Sequence, residues 1–358
     1  MIRVIQHGLG IQGRQALKIM LKKRDLKVVA AADVDPSLLG KDAGEVVGSE
    51  KTGIIVQHPS EILNQIKEGK LGADVVTNTT VTSLQKVFEQ VKPFIEMNIN
   101  VVTTSAEANY PWNDYPQLAL EIDSLAKKHG VRFMQAGINP ELLSATLPLI
   151  LSGASRIVRK VVVRRVVDYR EYDLFSAGQL KLDEKIRPLG ITPEKFADGV
   201  KDGHWKLGWS YPFPAITQKL HIVAFYLGWK LDSVDVKFEP IISKTQKQTP
   251  WGFVIEPGTT TGWKQIGSGF MGEEEKVRIE ALGIYKLSPE DGVNASVTVS
   301  IDGEPKHFME ITGGSVEDSS YVTSIRLVNI LPQVLKGPLG LITPMDLPMA
   351  LPLAEISQ

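Results

Sequence analysis

The chain has 358 residues, a formal net charge of -1, a 43% hydrophobic fraction and no cysteine. That length supports two domains with substantial cores, and the near-neutral charge excludes a nucleic-acid binder held by a broad basic field. The missing thiols exclude disulfides, thiolate metal sites and a cysteine nucleophile.

Residues 2–6 form a short, mostly apolar run that ends in Gly8-Leu9-Gly10-Ile11-Gln12-Gly13. The amphipathic stretch 14–23 follows at once, so the expected order is strand, tight turn, helix. Gly8 permits the turn, Gly10 lets the backbone approach a pyrophosphate, and Gly13 lets the helix pack on the strand. The next apolar run, 27–32, ends at Asp33, whose carboxylate is placed for the ribose hydroxyls of a dinucleotide. Val34-Asp35-Pro36 follow without a Lys or Arg for a 2′-phosphate, so NAD is expected rather than NADP. A nucleotide-free glycine turn is the competing reading.

Helical pieces are expected at 37–47, 60–68, 83–97 and 115–129, and strands at 53–56, 73–77, 100–103 and 131–134. Alternating strands and helices imply a parallel, doubly wound Rossmann-type sheet over residues 1–150. Ligands of such sheets bind at the carboxyl ends of the strands. The loops there carry Thr79 and Thr80; Thr104, Ser105 and Glu107; and Asn139 and Pro140. The hydroxyls fit the lining of a cofactor cleft, although serine and threonine are common in such loops.

Beyond residue 153 the pattern changes to a valine-rich strand at 156–170, punctuated by Arg156, Arg159, Lys160, Arg164, Arg165 and Arg170. One reading is a solvated sheet face or a subunit contact; the other is a carboxylate or phosphate subsite. A helix at 216–227 and strands at 234–242, 274–286, 293–301 and 307–311 follow, the last three as an antiparallel meander. This α+β region, 151–315, is expected to bind substrate and form a homodimer. A helix at 319–335 and a coil tail within 316–358 are expected to return to the first domain. His204, His221 and the aromatics Trp205, Trp209, Tyr211 and Phe213 are weaker site candidates. No stretch approaches the roughly 20 apolar residues of a membrane span, no signal peptide is evident, and the cytoplasm is the expected location.

The chain resembles the 2,4-diaminopentanoate dehydrogenase and native amine dehydrogenase family, whose first domain is similar to that of dihydrodipicolinate reductase. The carriers are the glycine turn, Ser105-Ala106-Glu107-Ala108-Asn109-Tyr110-Pro111-Trp112, Gly137-Ile138-Asn139-Pro140, Val163-Arg164-Arg165-Val166-Val167-Asp168 and the tail Gly340-Leu341-Ile342-Thr343-Pro344-Met345-Asp346-Leu347-Pro348. The resemblance implies oxidative deamination of an amine, or reductive amination of a ketone with ammonia. It makes Glu107 the catalytic group, puts Asn139 near nicotinamide and substrate, and counts Pro140 and Thr323 among the substrate-binding residues. The chain departs from the family's pattern at Glu141, where glycine is frequent, at 317–323 and at 169–182.

A carboxylate suits this chemistry, because hydride loss from an amine leaves a cationic iminium that it can stabilise while accepting the ammonium proton. No metal is needed. A helix-end or surface acid is the bland alternative for Glu107, and a loop-shaping role the alternative for Asn139 and Pro140. Two competing functions remain at this stage: reduction of a cyclic imine or carbonyl compound, and nucleotide binding without turnover.

Overall fold

A computed structural model of the chain describes residues 1–170, 188–201, 214–314 and 319–356. Residues 171–182 of the unusual stretch, together with His204, Trp205, Trp209, Tyr211, Phe213, Glu317 and Asp318, lie outside the described residues. The chain divides into two units, one of Met1–Leu142 with Ser319–Gln358 and one of Leu143–Asp318.

The first unit holds the strands β1 (Ile2–His7), β2 (Leu26–Ala32), β3 (Val56–Gln57), β4 (Val75–Asn78), β5 (Asn100–Thr103) and β6 (Arg132–Gln135). Between them run α1 (Ile11–Met20), α2 (Ala43–Val46), α3 (Pro59–Lys67), α4 (Leu84–Glu96) and α5 (Pro116–Lys128). The sheet is parallel and seven-stranded, with β1 beside β4 where the strand order reverses. Such a reversal opens a crevice at the strands' carboxyl ends. Period-two alternation divides the strand residues between two cores. Val4, Val75, Val102 and Met134 face Leu17 and Met20 of α1. Ile5, Val76, Val101 and Phe133 face Phe88, Phe94 and Ile95 of α4 and Ile122 of α5.

Two expectations for this unit need correction. The helix expected at 37–47 shrinks to α2, because Gly40 at φ 79° breaks the run and Asp42 caps what remains by accepting the Gly44 N–H at 2.8 Å. The tail is not all coil. Residues Gly340–Ile342, the last strand of the chain, pair in parallel with β6 and complete the sheet.

The second unit contains α6 (Leu147–Ser152), β7 (Ile157–Asp168), α7 (Pro193–Lys201), α8 (Pro214–Tyr226), β8 (Ser233–Ile242), β9 (Lys247–Gln248), β10 (Val254–Ile255), β11 (Thr260–Met271), β12 (Glu274–Ile284), β13 (Ser296–Glu304) and β14 (His307–Ile311). Its main sheet runs β14-β13-β7-β12-β11-β8. The expected meander is therefore wrong: β7 inserts between β12 and β13, parallel to the first and antiparallel to the second. Hydrophobic patterning shows which residues face inward, but it does not show which strand pairs with which. The strand β11 escaped notice because glycines interrupt it. At Gly267 the reason is close packing, since a Cβ there would lie 2.8 Å from Ile216 Cγ1 of α8.

The chain then returns to the first unit with α9 (Ser319–Asn329), α10 (Leu331–Val334) and β15 (Gly340–Ile342). Leu327, Val328 and Leu331 pack into the core shared with α1.

Candidate active site

At the carboxyl end of β1, Gly8 takes a positive φ of 93°, a conformation that L side chains rarely adopt. Gly13 allows α1 to approach, since a Cβ there would meet the Gly8 carbonyl at 1.9 Å. Gly10 caps α1 with open space around it, no side chain satisfies the cap, and the first turn carries no acid. By contrast α2, α3 and α4 are capped by Asp42, His58 and Ser83. An uncapped helix start presents unsatisfied N–H groups and positive dipole, which fits a dinucleotide pyrophosphate.

Asp33 sits beside this turn. Its Oδ2 accepts the Leu9 N–H at 2.5 Å, and its Oδ1 accepts the Val34 and Asp35 N–H groups at 2.7 and 2.9 Å. Leu9 is buried, whereas Ile11 and Val34 are exposed. The turn and the end of β2 are thus tied together by one carboxylate. Three of the four hydroxyls expected to line the cleft serve the scaffold. Thr79 donates to the Gly8 carbonyl at 2.9 Å and accepts from Gln6 Nε2 at 2.9 Å. Thr80 donates to Gln90 Oε1, Ser105 to the Thr82 carbonyl, and Thr104 is held by its N–H to the Asn78 carbonyl at 3.1 Å.

Beneath these loops His7, Asn78, Thr103 and Gln135 stand in register across β1, β4, β5 and β6, and all four are buried. Burial pushes the His7 imidazole down to about 4, against a smaller opposing pull from Asp33, so the ring is neutral. Sequence reading passed over this row, because single polar residues at strand ends carry no motif.

Glu107 follows β5 in a short turn and is 95% buried, being only 5% exposed. Its Oε2 accepts the Leu84 N–H at 3.0 Å, at the first residue of α4. A surface ion pair is therefore not its role, while the helix-end reading is met by that oxygen, where the α4 dipole favours negative charge. Two residues on, the side-chain amide of Asn109 is buried, and neither its Oδ1 nor its Nδ2 has a hydrogen-bond partner.

After β6 the loop 137–141 carries Asn139, whose backbone is extended and whose side chain is half-buried, and the buried Pro140. Thr323 of α9 accepts the Ile138 N–H at 3.3 Å. Its hydroxyl is thus applied to the loop that carries Asn139. Glu141 is fully buried, and Arg326 of α9 donates to both its oxygens at 2.9 Å. Because β5 and β6 are neighbours, the loops of Glu107 and Asn139 share one sheet edge with the glycine turn.

In the second unit the basic row of β7 resolves into two kinds of residue. Arg156 and Arg159 pair with Glu304, Lys160 with Glu275, Arg164 with Glu280, and Arg170 with Asp168. Arg165 is different. It is 8% exposed and registers through Ala281 with Gln265, on the face that α8 covers. Lys219 of α8 is buried in that layer, and desolvation, then the Arg165 charge, brings its amine down to about 7. Arg165 Nε and Gln265 Nε2 lack hydrogen-bond partners, and among the described residues no carboxylate pairs with Arg165 or Lys219. His221, on the same helix, is half-buried.

A family model for the 2,4-diaminopentanoate dehydrogenase C-terminal domain matches residues 142–357. The 2,4-diaminopentanoate dehydrogenase of Acetoanaerobium sticklandii is 29% identical over 357 residues, covering 97% of this chain and 94% of that protein. An amine dehydrogenase of Streptomyces virginiae is 20% identical over 374 residues, covering 98% of this chain and 97% of that protein. The solved amine dehydrogenase from Mycobacterium smegmatis has the same fold, with a TM-score of 0.77 at 22% identity over 98% of this chain and 96% of that one.

Proposed function

The chain belongs to the 2,4-diaminopentanoate dehydrogenase family and is an oxidoreductase acting on amino groups, and from that premise we propose that it catalyses the NAD-dependent oxidative deamination of a small amine or diamine. The reverse is reductive amination of a ketone or aldehyde with ammonia. A nicotinamide cofactor is common ground for this family's chemistry; the preference for NAD rests on Asp33 and Asp35, whose negative charges would repel a 2′-phosphate.

The observation that carries the reading is the buried Glu107 carboxylate, anchored on the first N–H of α4 at the sheet edge of the glycine turn. The bound nicotinamide supplies the hydride acceptor. The substrate ammonium first gives a proton to Glu107, which passes it to solvent and is a carboxylate again before hydride transfer. Loss of hydride from the amine carbon then leaves a C=NH2 cation, which the carboxylate stabilises. Water adds to that carbon as the Glu107 carboxylate takes one of its protons; that proton then goes to the nitrogen, ammonia departs, and the hydroxyl proton returns to Glu107 as the ketone forms. Anchoring by Leu84 holds the carboxylate in one place throughout, so little reorganisation accompanies the change of charge. Asn139, on the neighbouring loop, orients the nicotinamide and the substrate.

Arg165, Lys219 and Gln265 of the second unit form a buried basic cluster that suits an anion. Buried cations without an acid are costly unless an anion joins them. The protein works as a homodimer, which sedimentation velocity checks.

The test is NADH oxidation with a panel of keto acids, ketones and cyclic imines, with and without ammonium. Ammonium-dependent turnover is the expected result. Ammonium-independent turnover transfers the assignment to imine or carbonyl reduction, and NADH binding without turnover removes catalysis from the account.

A further inference from the structure

We propose that the Glu141–Arg326 ion pair is a positioning device that sets the Asn139 loop against the cofactor turn through helix α9. The proposal rests on the amine dehydrogenase reading for its kinetic arm only.

The geometry begins with one carboxylate. Glu141 Oε2 accepts the Gly137 N–H at 3.3 Å, so the residue after Asn139-Pro140 reaches back to the residue before Ile138. Arg326 grips both oxygens of that carboxylate at 2.9 Å, as a planar fork on a planar acceptor. One turn earlier on α9, Thr323 takes the Ile138 N–H. The loop that carries Asn139 is therefore fastened at 137, 138 and 141, twice directly to α9.

A second face of α9 is fastened to α1. Ser324 donates to the Gln12 carbonyl at 3.1 Å or to Gln15 Oε1 at 3.2 Å, and Ser320 lies 3.3 Å from the same Gln15 oxygen. Gln12 belongs to the glycine turn itself. Helix α9 is thus a strut between the turn that receives the pyrophosphate and the loop that receives nicotinamide and substrate. Hydride transfer depends steeply on the distance between cofactor and substrate carbons, so a strut of this kind bears on rate more than on binding.

An ion pair is an expensive way to hold a core together. Both charges lose their hydration, and apolar residues of similar volume often serve stability as well or better. A bidentate charged pair does fix direction, which a greasy contact does not. That difference separates a positioning role from a merely structural one.

The experiment compares Glu141→Gln, Arg326→Met and the double variant E141Q/R326M with the wild-type protein. Each single variant strands a polar or charged group and lowers the melting temperature. The double variant removes both charges and is expected to recover most of that loss. Its kcat nevertheless stays down by about tenfold, with the NADH Kd within about threefold of wild type. Hydrogen–deuterium exchange of peptides spanning 137–142 is expected to be faster in the double variant than in wild type. If kcat recovers together with the melting temperature, the pair is structural only and the proposal fails. Should the wild-type protein show no amine turnover, the functional reading fails, and exchange at 137–142 still judges the strut: unchanged protection in the double variant overturns it.

Discussion

The two units bury charge in opposite ways. In the first, Glu141 meets Arg326 in a two-pronged pair, and Glu107 meets the start of α4. In the second, Lys219 lies beside Arg165 with no acid to neutralise either among the described residues. Electrostatically, the first arrangement is complete as it stands, whereas in the second the described residues supply no acid and burial instead draws the Lys219 amine down to about 7. The contrast teaches that burial alone does not identify a ligand site. The partner set is what differs: one unit neutralises its buried charge with an opposite charge, the other with a lowered amine pKa.

Breaking the satisfied pair has the largest expected effect on stability. Arg326→Met leaves the Glu141 carboxylate charged and fully buried, and is expected to cost about 3–5 kcal/mol, read by chemical denaturation. A loss below about 1 kcal/mol would mean that water reaches Glu141.

The neutral histidine comes next. The His7 pKa is about 4 in the folded protein and 6.5 in its ordinary state, so the unfolded chain binds more protons between those values. Stability is therefore whole above pH 6.5 and falls by about 3 kcal/mol as the pH drops through that window to 4. His7→Gln removes that slope. A wild-type stability curve flat from pH 7 to 4 contradicts the burial of a neutral ring.

The third effect has the opposite sign. Lys219→Met is expected to stabilise the ligand-free protein at pH 7, because it removes a buried amine that faces the Arg165 charge. The Lys219 amine sits at about 7 rather than 10.5, so wild-type stability climbs as the pH rises between those values, and the variant lacks the climb. Added carboxylate should raise the wild-type melting temperature more than that of the variant. Equal stabilisation of both proteins would mean that the cations reserve no anion site.

Much of the first unit was legible in the sequence. The glycine turn, the β2 acid and the alternating strands are local patterns, and they led directly to the parallel, doubly wound sheet. The family resemblance singled out Glu107 and Asn139, and the fold puts their loops on adjacent strands. What could not be read is non-local. Nothing in residues 340–342 alone shows that they join β6, and nothing in 274–311 shows that β7 separates β12 from β13. Arg165 is indistinguishable in sequence from Arg164, yet one residue of strand register turns the first toward α8 and leaves the second with Glu280. Asn109 and His7 went unremarked for a similar reason, since a buried polar group is conspicuous only once its missing partners can be counted.

The central claim is that Glu107 is the proton-handling and charge-stabilising group of an amine dehydrogenase. Glu107→Gln tests it most directly, since glutamine can still accept the Leu84 N–H. Ammonium-dependent NADH oxidation should fall by about 10²-fold or more, with NADH affinity nearly unchanged. Turnover close to wild type in a folded, NADH-binding Glu107→Gln protein would contradict the account and leave Glu107 as a helix-end anchor.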